Sequence, residues 1–474
     1  MSDPLLLRAL RSPLLLFGVP VCLASIWAFS AGYQGLNGQD AHDYLRIAKD
    51  WTAWSHGGAR PEMAEHPHGY PMAGAIIGAF VGSELLALRA ISALSLIALA
   101  MLVHGLLRRV HPEQQAVPAY VLLAAVLSPF MLRYSMMVMS DVPAMVLVFG
   151  SYVCTVQWIK LGRWPWLISA LMLTVLALGV RLASAPLLAP MAVALVHGPP
   201  IGRKHRWGLA FVLAALAVFA LAFNSALIVQ GTMDHPLTDW SPLNFFRRVL
   251  HSDDGTLTYR FPNGIYVLGI VCHPGFLPMG LLLLPFVRPS DLRPIHARVA
   301  GGMLVCYLLF LAGLPFQNDR VLLSALPFVS VLLLPAFNRA VGFWKERIAE
   351  RMWILAMLAV IQIALFVRAM LPFFDQAQVE RDLAARVNAL RPSVVYTHGM
   401  GAAFGTYCPD TEVQELWYGD LERFERGALF VVRPSNLGEQ WQGRPPATNW
   451  ERAQQQGLEL QEERPDGWVL ARVR

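Results

Sequence analysis

The chain is short of charge. Only 15% of its 474 residues are Asp, Glu, Lys or Arg, against 55% hydrophobic, and the mean hydropathy is +0.46. This excludes an ordinary soluble protein, because the apolar runs recur at the length of about 20 residues that crossing a bilayer requires. Cysteine is sparse: Cys22, Cys154, Cys272, Cys306 and Cys408 are scattered, the first four in apolar segments. That pattern excludes a disulfide framework and a metal knuckle. There is no tandem repeat at solenoid periods and no low-complexity tract. No convincing A-x-A-like cleavage site follows the apolar stretch after Arg8 and Arg11, so that stretch reads as a retained first helix. The net charge of +6 is modest and comes from loop arginines, which gives no reason to expect a nucleic-acid partner.

What is present is a series of apolar segments. Eleven spans are expected, at 12–31, 84–107, 117–133, 141–159, 165–181, 184–198, 207–230, 263–287, 299–315, 320–337 and 352–372. With this parse the basic clusters Arg8/Arg11, Arg108/Arg109, Lys160/Arg163, Arg203/Lys204/Arg206, Arg288/Arg293 and Arg339/Lys345/Arg347/Arg351 all fall on one face, as retention of positive loops in the cytoplasm requires. Tyr70–Gly82 is too short to cross and reads as an interfacial or re-entrant helix. The other face collects the loops 32–83, 133–141, 231–262 and 317–320 and the last hundred residues, so chemistry is expected outside. From about Phe373 the composition becomes globular. Segments 393–397 and 428–432 read as buried strands, 449–457 as helix, and 458–462 with 468–472 as a hairpin across Pro465-Asp466-Gly467. Two domains follow: residues 1–372 in the membrane and 373–474 as a small extracytoplasmic α/β domain.

The most informative segment lies in the first outer loop, Gln39-Asp40-Ala41-His42-Asp43-Tyr44-Leu45-Arg46-Ile47-Ala48. Carboxylates at the edge of a bilayer are costly and mark function by default. Asp40, Tyr44, Ile47 and Trp51 share one helix face. An amphipathic helix lying on the membrane accounts for the aromatic side of that face, and Asp40 would then be either a helix N-cap or a reactive carboxylate. Glu65, His66 and His68 gather a carboxylate and two imidazoles among prolines, which either bind a divalent metal or form a rigid solvated turn. Asp141 stands at the mouth of a span, where the local reading is an N-cap with Pro143 in the first turn. Arg181 and Arg320 lie at outer ends of apolar segments, as snorkelling side chains or as cations for a lipid phosphate.

In their order and common side these motifs resemble the GT-C superfamily, polytopic glycosyltransferases that use sugars carried on polyprenyl phosphate. The family's first-loop pattern D-E-x-x-Y-x-x-I-A is matched by Asp40, Tyr44, Ile47 and Ala48, with Ala41 in place of the second acid. Glu65, Pro67 and Tyr70 are similar to the E-K-P-P-L-Y segment of the branch that holds lipid A aminoarabinose transferases and protein O-mannosyltransferases, with His66, His68 and Gly69 departing from it. Met139-Ser140-Asp141 resembles the acidic motif of the second outer loop, and Asn318-Asp319-Arg320-Val321-Leu322-Leu323 a late N/E-x-R-Y-L-L signature. The resemblance spans about Met1 to Arg368. It implies a GT-C-like α-helical polytopic membrane protein of the bacterial inner membrane with about eleven transmembrane helices.

The activity implied is transfer of a hexosyl or pentosyl unit from a polyprenyl-phosphate carrier to an acceptor glycan, lipid or protein, with inversion. Asp40 would serve as general base, Tyr44 and Asp141 would help bind substrate, and Arg181 or Arg320 would stabilise the phosphate leaving group. The lack of a Gly-rich phosphate loop agrees with a donor loaded before it reaches the outer face. The rival classes are a transporter or lipid flippase, whose expected internal duplication is not seen, and a membrane scaffold, which leaves the acidic motifs without a purpose.

Overall fold

The computed structural model describes residues 12–61, 66–188, 190, 239–252, 254–345 and 351–474. The chain is an integral membrane protein. Among the described residues, six helices are long and apolar enough to cross a bilayer, or seven counting one bent pair. The membrane part runs α1 (Pro13–Ser30), α2 (Gly38–Ser55), α3 (Gly69–Val81), α4 (Glu84–Val110), α5 (Val117–Val121, continued by a π-helical turn Leu122–Val126), α6 (Pro129–Ser135), α7 (Asp141–Leu161), α8 (Trp164–Val180), a β1–β2 hairpin (Val249–Ser252, Gly255–Thr258), α9 (Ile295–Gly313), α10 (Leu326–Lys345) and α11 (Arg351–Leu390). Helix α7 is the most enclosed of the crossing helices that begin before α9, and Ser151 on it bonds Thr174 Oγ1 (2.8 Å) and the Ala170 carbonyl (2.9 Å) of α8.

The expected spans are met unevenly. The segment 117–133 bends by 65° between α5 and α6, because Pro129 has no amide to continue the ladder and Ser128 caps the new helix through Met131 N. The segment 263–287 is not one helix. It breaks into short turns at Asn263–Tyr266, Gly269–Cys272 and Gly280–Leu283, where Pro274, Gly275, Pro278 and Pro285 interrupt the apolar run. Its irregular backbone is held inside the protein, with Phe130 N donating to Gly275 O at 2.8 Å and Phe130 stacked on His273. Of the spans at 184–198 and 207–230, all but residues 184–188 and 190 lies outside the described residues, and 182–188 is a 3₁₀ helix.

Helix α11 runs 40 residues without a break through Phe373, so the C-terminal domain begins with the far half of a membrane helix. It then forms β3 (Val394–Thr397), α12 (Gly401–Tyr407), β4 (Glu412–Glu415), β5 (Leu429–Val432), α13 (Pro434–Gln440), α14 (Pro445–Gln456), β6 (Leu458–Glu463) and β7 (Val469–Val473). The sheet order is β4-β3-β5-β7-β6, with β3 parallel to β4 and β5, and β7 antiparallel to β5 and β6. β3 and β5 are buried on both faces, as their continuous apolar runs require. The expected strands and hairpin are present. β4 and α12 escaped the sequence reading because Glu412-Val413-Gln414-Glu415 has almost no apolar signal.

The C-terminal domain packs on α2. Buried His42 bonds Thr406 Oγ1 (2.9 Å) and Glu380 Oε2 (3.2 Å), and the Gly38 amide lies 3.4 Å from Glu380 Oε1. A carboxylate of α11 thus occupies the N-terminal end of α2, where an anion is favoured. On the other side Gly255 (φ +95°) approaches the Gln440 carbonyl so closely that a Cβ would collide with it, and Arg444 and Gln440 donate to the Ser252 and Asp254 carbonyls. The hairpin β1–β2 is thereby fastened to α13.

Candidate active site

Helix α2 is amphipathic: Ala41, Tyr44, Leu45 and Ala48 are buried and Arg46 and Lys49 exposed, which sets it along the bundle with Asp40 in its first turn. Asp40 is not the cap. The N-cap position is Asn37, whose own side chain makes no capping hydrogen bond. Asp141 is likewise no cap; the N-cap of α7 is Ser140, and its hydroxyl meets Tyr44 OH at 2.7 Å instead of bonding the helix end. Both carboxylates that local reasoning assigns to capping are therefore turned to other partners.

Those partners are the two arginines. Arg320 Nη1 lies 2.6 Å from Asp40 Oδ2, and its Nε lies 3.6 Å from Asp141 Oδ1. Arg181, just past the end of α8, places Nη1 2.7 Å from the same Asp141 oxygen. The result is one chain of alternating charge, Asp40, Arg320, Asp141, Arg181, drawn from four segments far apart in sequence. Asn318 positions Arg320 by capping its turn, and Arg320 Nη1 also reaches Met139 Sδ at 3.4 Å. Tyr44 packs edge-on against Tyr70, whose hydroxyl bonds Ser92 Oγ (2.9 Å) and the Leu88 carbonyl (3.0 Å), while Ser92 reaches the Met139 carbonyl. The Gly69 Cα sits where a side chain would strike the Gly179 carbonyl, so glycine lets α3 close the wall beside Arg181.

Electrostatics separate the carboxylates. The Asp40 side chain is 30% exposed and Asp141 is fully enclosed, so only Asp40 can meet an incoming molecule. Burial pushes the Asp40 carboxyl up, but the Arg320 charge and the hydrogen bond from it, with help from His66 and Arg181, outweigh this and hold it at about 2. Burial and the neighbouring Asp40 push Tyr44 up to about 12, so the phenol is neutral. A cavity of about 190 Å³ opens over the pair, lined by Asp40, Arg320, Gln39, Met139, Tyr134 and Asn318 among others.

The expected metal ligands are not brought to one point. His66 Nε2 faces Asp40 Oδ1 at 3.7 Å, and His68 Nδ1 accepts a hydrogen bond from the Trp51 indole at 3.0 Å. Glu65 lies outside the described residues, and among the described residues no three His, Cys, Asp or Glu side chains gather as a metal site. The two imidazoles have diverged because α2 offers one a carboxylate and the other an indole. Tyr70 was noted in the sequence as a motif residue, whereas Ser140, read only as a neighbour of Asp141, and Ser92, which lies in no motif, carried no signal for their part in holding Tyr44.

Residues 65–227 match the family model described as dolichyl-phosphate-mannose-protein mannosyltransferase. The structure is similar to that of ArnT from Cupriavidus metallidurans bound to undecaprenyl phosphate, with a TM-score of 0.56 at 13% identity over 96% of this chain and 97% of that one. The apo form of the same ArnT gives 0.52 at 14% identity over 95% and 97%. None of the curated proteins matches the chain by sequence. The chain thus shares the fold of ArnT, and about a third of it matches that family model.

Proposed function

We propose that this protein transfers a sugar from a polyprenyl-phosphate carrier to an acceptor on the extracytoplasmic side, by inverting displacement. The observation that carries the reading is the pairing of a partly exposed carboxylate, Asp40, with a cation, Arg320, at the mouth of a cavity in a GT-C-like fold. The ArnT neighbour was solved with undecaprenyl phosphate, and the matching family model is that of a dolichyl-phosphate-mannose enzyme; both support a lipid-phosphate sugar as donor. The outer domain and α2 meet at the end of the bundle away from the Arg339–Asp291 pair, consistent with a cytoplasmic basic end and an outer catalytic end.

In the proposed step Asp40 removes the proton of an acceptor hydroxyl or amine. That atom bonds the anomeric carbon from one side while the bond from that carbon to the phosphate oxygen breaks on the other, releasing polyprenyl phosphate. Arg320 and Arg181 hold the leaving phosphate as its charge grows. With its carboxyl held at about 2, Asp40 in the resting site is ionised but a weak base. A phosphate arriving at Arg320 competes for the guanidinium, loosens the pair and raises the basicity of Asp40 only when donor is present. Asp40→Asn tests the reading: it should abolish transfer from a polyprenyl-phosphate sugar while the protein still binds that lipid. Near-normal turnover by this variant would overturn it.

A further inference from the structure

A second cleft, of about 410 Å³, lies between the outer domain and the loops of the membrane part. Its wall on the domain side is aromatic. Trp417 and Trp441 have ring centroids 4.6 Å apart and planes inclined at 58°, and His398 packs on both, 5.8 Å from Trp417 and 4.9 Å from Trp441. Asn436 and Gln440 of α13 supply amides at the rim. The floor includes Gln317 and Asn318, and Asn318 also lines the cavity over Asp40, so one residue borders both spaces.

These groups match one ligand chemistry. A pyranose or furanose ring has a face of C–H groups, attracted to the negative face of an indole, and an edge of hydroxyls that pair with amides and imidazole. His398 suits this. Burial lowers its pKa to about 4, so the ring is neutral, and its Nδ1 has no hydrogen-bond partner among the described residues. The hairpin β1–β2 tied to α13 fixes the opposite wall, which makes the cleft a built feature and not a gap between loose parts.

We infer that this cleft binds a neutral saccharide unit of the acceptor, stacked on the part-exposed Trp417 that buried Trp441 backs, and delivers its nucleophile past Asn318 to Asp40. The inference rests on the glycosyltransferase reading for the last clause only; sugar binding at the cleft stands or falls separately.

The test is saturation-transfer NMR on the full chain in detergent, with methyl glucoside, maltose, cellobiose and diacetylchitobiose as probes. Ring protons of at least one probe should receive saturation. Trp417→Ala and His398→Ala should weaken that binding by about tenfold. Asn436→Trp, on an exposed position of α13, fills the cleft without touching the core and should abolish binding. Asp40→Asn should leave it unchanged. Absence of signal from all four probes, or signal that survives both Asn436→Trp and Trp417→Ala, overturns the inference. Displacement of the bound probe by a polyprenyl-phosphate sugar but not by polyprenyl phosphate would give the cleft to the donor sugar and overturn the acceptor assignment. Turnover by Asp40→Asn, by contrast, defeats the catalytic reading and leaves the binding result standing.

Discussion

Two arginine–aspartate contacts lie at opposite ends of the same bundle, and they are built differently. At the basic end Arg339 grips Asp291 with both terminal nitrogens and the Phe286 carbonyl with Nε, while Asp291 also accepts from the Arg288 amide. Every group there is satisfied, and the pair staples two neighbouring segments. At the other end Arg320 is divided between two carboxylates. Both Asp141 oxygens and the Nε atoms of Arg181 and Arg320 lack a well-aligned hydrogen bond among the described residues. A closed pair stabilises the fold. An open one, with spare bonding capacity beside a cavity, is arranged to take on something else.

The sharpest way to break this contrast is Asp40→Asn. It keeps the size of the side chain and removes the proton acceptor, so transfer should fall by about 10²–10⁴-fold while the variant still folds and binds the donor lipid. Next in size, Arg320→Ala or Arg181→Ala should weaken donor-lipid use by roughly 1.5–3 kcal/mol, read as the donor Kd. Wild-type donor affinity in both variants would make these arginines snorkelling residues.

Arg320 also sets a pH signature. The folded value of Asp40, about 2, lies below its unfolded value of 3.8. The pair therefore stabilises the fold above the unfolded value, and that contribution is lost as pH falls through the folded one. In the free enzyme Asp40 should give no acid limb in kcat/KM above about pH 4. Without Arg320 the burial effect remains and the opposing charge is gone, so the limb should move to higher pH. An unmoved limb would separate Asp40 from Arg320 in function.

At the other end, Arg339→Ala should cost roughly 1–2 kcal/mol of stability and leave the donor Kd and kcat alone. A loss of activity at constant stability would erase the distinction between the two pairs. The smallest effect is expected from chelation. Because His66 and His68 are turned to Asp40 and Trp51, EDTA should leave turnover within about twofold. A larger loss, restored by Mn²⁺ or Mg²⁺, would return Glu65, His66 and His68 to the role of metal ligands.

The sequence and the structure agree where the signal is carried by one segment. Membrane class, the helix beginning near Asp40, and the closing hairpin follow from local apolar pattern and turn chemistry. Asp40, Tyr44, Asp141, Arg181 and Arg320 were legible as charged or aromatic residues at outer ends, and the structure joins them. Their partnerships were not legible, since no local rule says that Arg320 reaches Asp40 or that Ser140 bonds Tyr44 and not its own helix. The 263–287 segment misled for a related reason: hydropathy counts apolar residues, whereas Pro274, Pro278 and Pro285 decide whether the backbone can stay helical. Trp417 and Trp441 carried no signal in the sequence, and only the packing of the loops against the sheet leaves a cleft beside them.

Helix α11 has a mechanical consequence. Forty residues make a rod of about 60 Å, its membrane half exposed more than any other crossing helix among the described residues and its far half bonded through Glu380 to α2. A rod of that length that tilts by about 5° moves its tip by about 5 Å, and tilt is how such helices answer a bilayer thinner or thicker than themselves. The same rod that is set in the lipid also carries Glu380 and leads directly into the domain that holds Trp417 and His398, so membrane helix and domain share one continuous element.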